Sequence, residues 1–224
     1  SRYQYAVEVS ILGAHQDYFR NWREVSSVKS GKFTIRRLEN PAAAPVVTDF
    51  VERIDAGSAD VFVFDSQKFP CNWTTNASVI AGGLFGASTS PANRFVCPSA
   101  PPHVFAGVTV IDDQNYLPRR CIMMHAPDRG SVEARFDDVL LGKEIYGHSG
   151  IRWIIERDQP GTPIRLEAFL DGEKIGDEFH FDGQGWKAFR FPTAARAGTK
   201  GSVLFKISSP NTAHRVMCWE AATR

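Results

Sequence analysis

The sequence predicts a mainly β protein, an antiparallel β-sandwich with a small α/β extension at its N-terminus. Three observations predict it. From residue 59 onward, short alternating or apolar runs recur, each bounded by Gly, Pro, Asn or Asp. Aromatic residues make up 12% of the 224, with 16 Phe and 5 Trp, and large rings suit the half-buried surface of a sheet. Asp171-Gly172 lies between two alternating runs, the pair that a two-residue hairpin with positive φ requires.

The first 57 residues form the extension. Tyr5–Leu12 alternates as a strand and ends at Gly13, and Lys32–Arg36 is strand-like again. Between them, Tyr18, Phe19, Trp22 and Val25 fall on one helical face. Val46, Val47, Phe50, Val51 and Ile54 also follow helix spacing, with Pro45 in the first turn and Gly57 as the stop.

Residues 58–224 form the sandwich. Val61–Phe64 is a short apolar run between aspartates, expected of a strand buried on both faces. Residues 66–103 are rich in Ser, Asn, Pro, Gly and Ala and read as one long loop; such length inside a compact domain marks a contact surface. Further strands are expected at 104–111, 120–125, 131–136, 151–156, 164–170, 173–180, 186–191, 201–207 and 215–221.

Composition excludes several partners. Lys plus Arg number 26 against 25 Asp plus Glu, and Arg36-Arg37 and Arg119-Arg120 are too isolated to neutralise a phosphate backbone, so nucleic acid is excluded. No stretch approaches the 18 apolar residues of a spanning helix. The first residues show no signal-peptide pattern, and a start without Met fits a processed chain.

Cysteines stand at 71, 97, 121 and 218 without a C-x-x-C pair, which argues against a zinc knuckle. Two disulfides allow three connectivities. The pairing Cys71–Cys97 with Cys121–Cys218 is favoured, because the second bond would tie an early strand of the C-terminal region to the last. Four free thiols in a cytosolic protein are the alternative. Together with sequons at Asn72 and Asn76, the cysteines point outside the cytoplasm.

Asp138, Gly142, Gly147-His148-Ser149-Gly150-Ile151, Asp182-Gly183-Gln184-Gly185-Trp186 and a last strand closing with Met217-Cys218-Trp219-Glu220-Ala221 resemble a jelly-roll domain of the galactose-binding-like type. Carbohydrate-binding modules share that architecture. The resemblance covers residues 58–224 and implies a jelly roll that is not catalytic and that commonly carries structural Ca²⁺.

Candidate chemistry is sparse. Gly147-His148-Ser149-Gly150 falls short of a nucleophile elbow: the fifth position is Ile151 and a strand follows, so the motif reads as a glycine-bounded turn. Glu178, His180 and Asp182 alternate, which would put three metal ligands on one strand face with Phe179 and Phe181 in the core; a solvated polar face is the plainer reading. The loop Asp182–Gly185 could offer oxygens to a structural Ca²⁺, and otherwise no cofactor is expected. Trp186 and Trp219 read as core. Trp73 and Tyr146 read as loop aromatics, and with Leu84 and Phe85 of the apolar run 79–86 they are the expected ligand or partner contacts. The expected function is a non-catalytic accessory subunit outside the cytoplasm, docked on an envelope or membrane-associated assembly through residues 66–118 and the extension. The alternative is a carbohydrate-binding module with a glycan ligand, and a hydrolase ranks third.

Overall fold

The computed structural model describes residues 4–13, 19–78, 90–158 and 160–224, and its contacts divide the chain into two units, Ser1–Val46 and Val47–Arg224. In the first, β1 (Tyr5–Ile11), β2 (Arg23–Ser30) and β3 (Phe33–Glu39) form an antiparallel sheet with β3 in the centre. The helix expected around Phe19, Trp22 and Val25 does not form: Val25 lies in β2, and Phe19 and Trp22 meet edge to face beside a turn. Pairing with β3 outweighs a short helical periodicity, as it suits the β-branched residues of β2. Tyr18 lies outside the described residues.

The second unit runs β4 (Thr48–Asp49), α1 (Phe50–Asp55), β5 (Asp60–Asp65), β6 (Gln67–Pro70), β7 (Asn72–Thr74), β8 (Arg94–Val96) and β9 (Phe105–Asp112). It continues with β10 (Pro118–His125), β11 (Ser131–Leu140), β12 (Glu144–Gly150), α2 (Trp153–Asp158), β13 (Ile164–Leu170), β14 (Glu173–His180), β15 (Lys187–Pro192), β16 (Lys200–Ser208) and β17 (Val216–Thr223). One sheet has the order β15-β12-β17-β10-β9-β8-β7, with β4 also pairing to β17; the other has the order β14-β13-β16-β11-β5-β6. Every pairing is antiparallel, and the protein is mainly β.

The core lies between the two sheets. Val132, Ala134, Phe136, Leu166, Phe205 and Ile207 from one sheet and Ile122, Met124, Ile145, Met217 and Trp219 from the other are all fully buried. Alternation puts the next residue of each strand outside. Helix α1 is part of this core. Asp49 caps it by accepting the Val51 and Glu52 N–H groups, and Phe50 meets Phe136 and Phe205 edge to face, each at 4.9 Å between centroids. The contacts therefore divide the chain after Val46, whereas the sequence reading carried the extension to residue 57. The helix starts at Phe50, leaving Pro45 ahead of it.

Asp171 (φ 50°) and Gly172 (φ 87°) form the expected two-residue turn, closing β13 on β14 with Leu170 opposite Glu173. The structure corrects four other expectations. Residues 151–156 mostly form α2, not a strand, and bury Ile154 and Glu156. Residues 66–103 contain β6, β7 and β8. Strand β5 buries Val61 and Val63 but leaves Phe64 exposed, so only one face is covered. Gly147–Gly150 lies inside β12 and is no turn; a Cβ at Gly147 would stand 2.1 Å from the Glu220 carbonyl oxygen, so strand pairing demands glycine there.

Both disulfides pair as favoured: Cys71 with Cys97, and Cys121 with Cys218. The second joins the neighbouring strands β10 and β17 on the outer face, within a small cluster of Phe105, Ile111 and Met123.

Candidate functional site: an aromatic row on the outer sheet face

The outer face of the sheet containing β12 carries a row of rings interleaved with ion pairs. Alternation in β12 sends Ile145 and Ser149 inward and Tyr146 and His148 outward. The register sets His148 opposite Glu220 of β17. His148 Nδ1 lies 2.6 Å from Glu220 Oε1, and the Tyr146 hydroxyl lies 3.3 Å from Nε2, so the carboxylate orients the imidazole from beneath. The Tyr146 ring is itself flanked by the Arg224 and Arg190 guanidinium groups, 3.6 and 5.0 Å from its centroid.

Trp186 stands next to His148, its indole within 11° of parallel to the imidazole. Arg119 lies 5.8 Å from the indole centroid and pairs with Asp113 at 2.7 Å. The buried Asp113 carboxylate also accepts the Asn115 and Leu117 N–H groups, which fixes the β9–β10 hairpin loop. At the tip of that loop Tyr116 is 69% exposed with φ 57°. Its ring meets Trp153 of α2 edge to face at 4.9 Å between centroids. Arg157 lies over Trp153 at 4.4 Å, and Arg152 pairs with Asp112 at 2.9 Å. The rings thus form two linked groups, Tyr116 with Trp153 and Trp186 with His148 and Tyr146, and Arg119, paired with Asp113 of the loop that carries Tyr116, lies against Trp186.

A buried polar cluster anchors the row from below. Glu156 of α2 accepts from His180 Nε2 at 2.7 Å, from the Ile151 and Gly183 N–H groups at 3.3 and 3.2 Å, and from the Gln114 side chain. One carboxylate thereby holds α2, the 181–186 loop and the β9–β10 loop together, and these three segments carry Trp153, Trp186 and Tyr116. Burial without a charge partner would be costly, and the convergent donors offset it.

The residues singled out from the sequence have varied fates. Glu178, His180 and Asp182 do not converge on one vacant site: Glu178 pairs with Lys187, His180 with Glu156, and Asp182 with the buried Arg215. Their face turns inward at His180, while Phe179 and Phe181 are 41% and 49% exposed, the reverse of the expected orientation. Among the described residues no group of three or more His, Cys, Asp and Glu has metal-holding geometry. Trp219 is core, whereas Trp186 is half-buried on the outer face. Trp73 lies in β7, half-buried against Phe95, and Tyr146 lies in β12, so neither is a loop residue. Leu84 and Phe85 lie outside the described residues. Tyr116 was missed; an aromatic beside Asp113-Gln114-Asn115, between two expected strands, is the signal that could have found it. A shallow recess is lined by Arg53, Asp60, Arg135 and Asp137, which bond to one another: Arg135 pairs with Asp60 and Asp137, and Arg53 donates to the Asp137 carbonyl.

No family model matches the chain, and no curated protein matches it. Several solved structures that contain carbohydrate-binding modules are similar to the chain. A CBM51 module from Clostridium perfringens GH95, in complex with methyl-galactose, is 15% identical with a TM-score of 0.39, over 52% of this chain and 81% of that one. The CBM51-2 and INT domains of Clostridium perfringens ZmpB, in complex with GlcNAc, are 11% identical with a TM-score of 0.38; the match covers 97% of this chain and 48% of that one. The mannan-recognising module TmCBM27 is 10% identical with a TM-score of 0.34, over 98% and 97%.

Proposed function

We propose that this chain is a non-catalytic glycan-binding domain that works outside the cytoplasm and binds along the row from Tyr116 to Tyr146. The observation that carries this reading is the placement of Tyr116, largely exposed at a hairpin tip that the buried Asp113 holds rigid beside Trp153. Flat rings pack against the apolar C–H faces of sugars, and the intervening Arg, Asp and His groups suit their hydroxyls. A rigid aromatic presented this way loses little entropy on binding. Two disulfides support an oxidising compartment. Among the described residues no helix is long and apolar enough to cross a membrane.

A glycan array followed by calorimetry tests this. The expected result is a glycan bound by the wild type and weakened at least tenfold by Tyr116→Ala and by Trp186→Ala, with the fold unchanged by circular dichroism. An array with no binder, or a ligand indifferent to both substitutions, would sink the reading. A second role, docking as a subunit, is favoured by one observation: the exposed apolar face of the β1-β3-β2 sheet.

A further inference from the structure

Two connectors cross from one sheet of the sandwich to the other at the same end. Residues 126–130 join β10 to β11, and residues 209–215 join β16 to β17. They run side by side because the strands around them pair, His125 with Val216 in one sheet and Val132 with Ile207 in the other. His125, the last residue of β10, is therefore set where both connectors leave the first sheet, and it is buried there. Its Nδ1 donates to the Ala126 carbonyl oxygen at 2.7 Å.

The groups that face His125 come from three segments. His103, between β8 and β9, meets it edge to face with 4.7 Å between centroids. Asp128 belongs to the first connector and His214 to the second. Asp128 also accepts the Thr212 hydroxyl, which ties one connector to the other. His214 is held at φ 59°, a left-handed backbone that a residue with a side chain adopts only at a cost, so its connector has strain to release.

A proton on His125 would make a buried cation between two other histidines. Burial is the main obstacle, and it is lifted when the connectors part and water reaches the ring. In the closed arrangement His125 titrates at about 4, and a solvated histidine near 6.5. The parted form thus holds the proton more tightly, and falling pH between these values shifts the balance toward it, by on the order of a hundredfold at the lower end.

The second connector leads on to the aromatic row. Arg215 follows His214 directly, is itself buried, and pairs with Asp182 at 2.6 Å. Asp182 also accepts the Gly161 N–H at 2.8 Å, and it begins the 182–186 turn that ends at Trp186. Displacing the connector would remove a buried support of that turn.

We propose that His103, His125 and His214 form an acid-operated latch, in which a proton on His125 parts the two connectors and, through Arg215 and Asp182, loosens the turn that carries Trp186. The latch is a property of the fold and stands without the glycan reading; on that reading it would release the ligand in acid.

Hydrogen exchange read by mass spectrometry on the 224-residue chain, at about pH 7 and about pH 5 and corrected for the intrinsic pH dependence, tests it. Protection of 126–130, 209–215 and 182–186 should fall roughly tenfold at the lower pH, while β11 and β16 keep theirs. His125→Gln should abolish the fall. Because a buried substitution could weaken the fold itself, His103→Gln combined with His214→Gln, both at exposed positions, supplies a second readout. Without its two like-charged neighbours His125 takes its proton more readily in the closed form, so the fall should shrink. Unchanged protection of the wild type at the lower pH overturns the proposal. An equal loss in β11 and β16, which is global unfolding, does so too. A fall confined to the connectors breaks the link to Trp186 and overturns it as well. So does a fall that persists undiminished in both variants, which would assign it to another group.

Discussion

His180 Nε2 lies 2.7 Å from Glu156 Oε1, and neither side chain exposes more than 1% of its surface. This contact joins the end of β14 to α2 in the interior. Removing the carboxylate strands a buried imidazole and two backbone N–H groups together. Glu156→Ala should therefore cost about 3–5 kcal/mol of unfolding free energy, measured by denaturant titration. Glu156→Gln, which keeps the volume and some acceptors, should cost less. A loss under about 1 kcal/mol in the alanine variant would show that the cluster is not an anchor.

His125 gives the protein an acid-sensitive window. Burial pushes its pKa down to about 4, helped by the neighbouring His103 and His214 and opposed by its bond to the Ala126 carbonyl and by Asp128. The unfolded histidine titrates near 6.5, so between these values the unfolded chain binds more protons. Stability should be full above about pH 6.5, decline as pH falls toward about 4, and level off below, by on the order of 3 kcal/mol. His125→Gln should flatten that slope. Asp171, held low mainly by the Ser202 N–H, and Asp177, held low mainly by Arg165, lose their contributions only at lower pH.

Ser149 is fully buried, and among the described residues its hydroxyl has no hydrogen-bond partner. Ser149→Ala deletes that unsatisfied group with little change in volume, so the melting temperature should stay the same or rise slightly. A drop of several degrees would mean that the hydroxyl has a partner, such as a bound water.

Gly172 has open space around it, so a methyl group there meets nothing. Its φ of 87° alone sets the cost. Gly172→Ala should destabilise by about 1 kcal/mol through backbone strain, whereas Asp171→Asn should leave the turn intact. Equal unfolding free energies for wild type and Gly172→Ala would contradict the turn geometry.

Much of the sandwich was legible because its strands are punctuated locally. Residues 164–170 and 173–180 match β13 and β14 to the residue, since Asp171-Gly172 fixes where one ends and the other begins. Strand β12 was not legible: Gly147 and Gly150 look like breakers until one sees that Glu220 and Trp186 approach too closely for any side chain. The inward face of β14 was read backwards for a related reason. Phe179 and Phe181 look like core, but Glu156, from a helix twenty-odd residues earlier, supplies the partner that lets His180 go inside. The aromatic row was half legible. Tyr146 and Trp186 were visible one by one and Tyr116 was not, and their alignment depends on the long-range pairing of β12 with β17 and on the loop that Asp113 folds.

The bond between Cys121 and Cys218 closes residues 121–218 into a covalent ring. Trp153, Trp186, His148 and Tyr146 ride inside that ring, and Tyr116 and Arg119 sit just outside it, on the same strand hairpin that carries Cys121. A protease that cuts one loop within the ring opens the circle but frees no fragment. Both parts of the row stay tethered to each other, so a single-nicked molecule would still run as one species without reductant and could keep its rings in place.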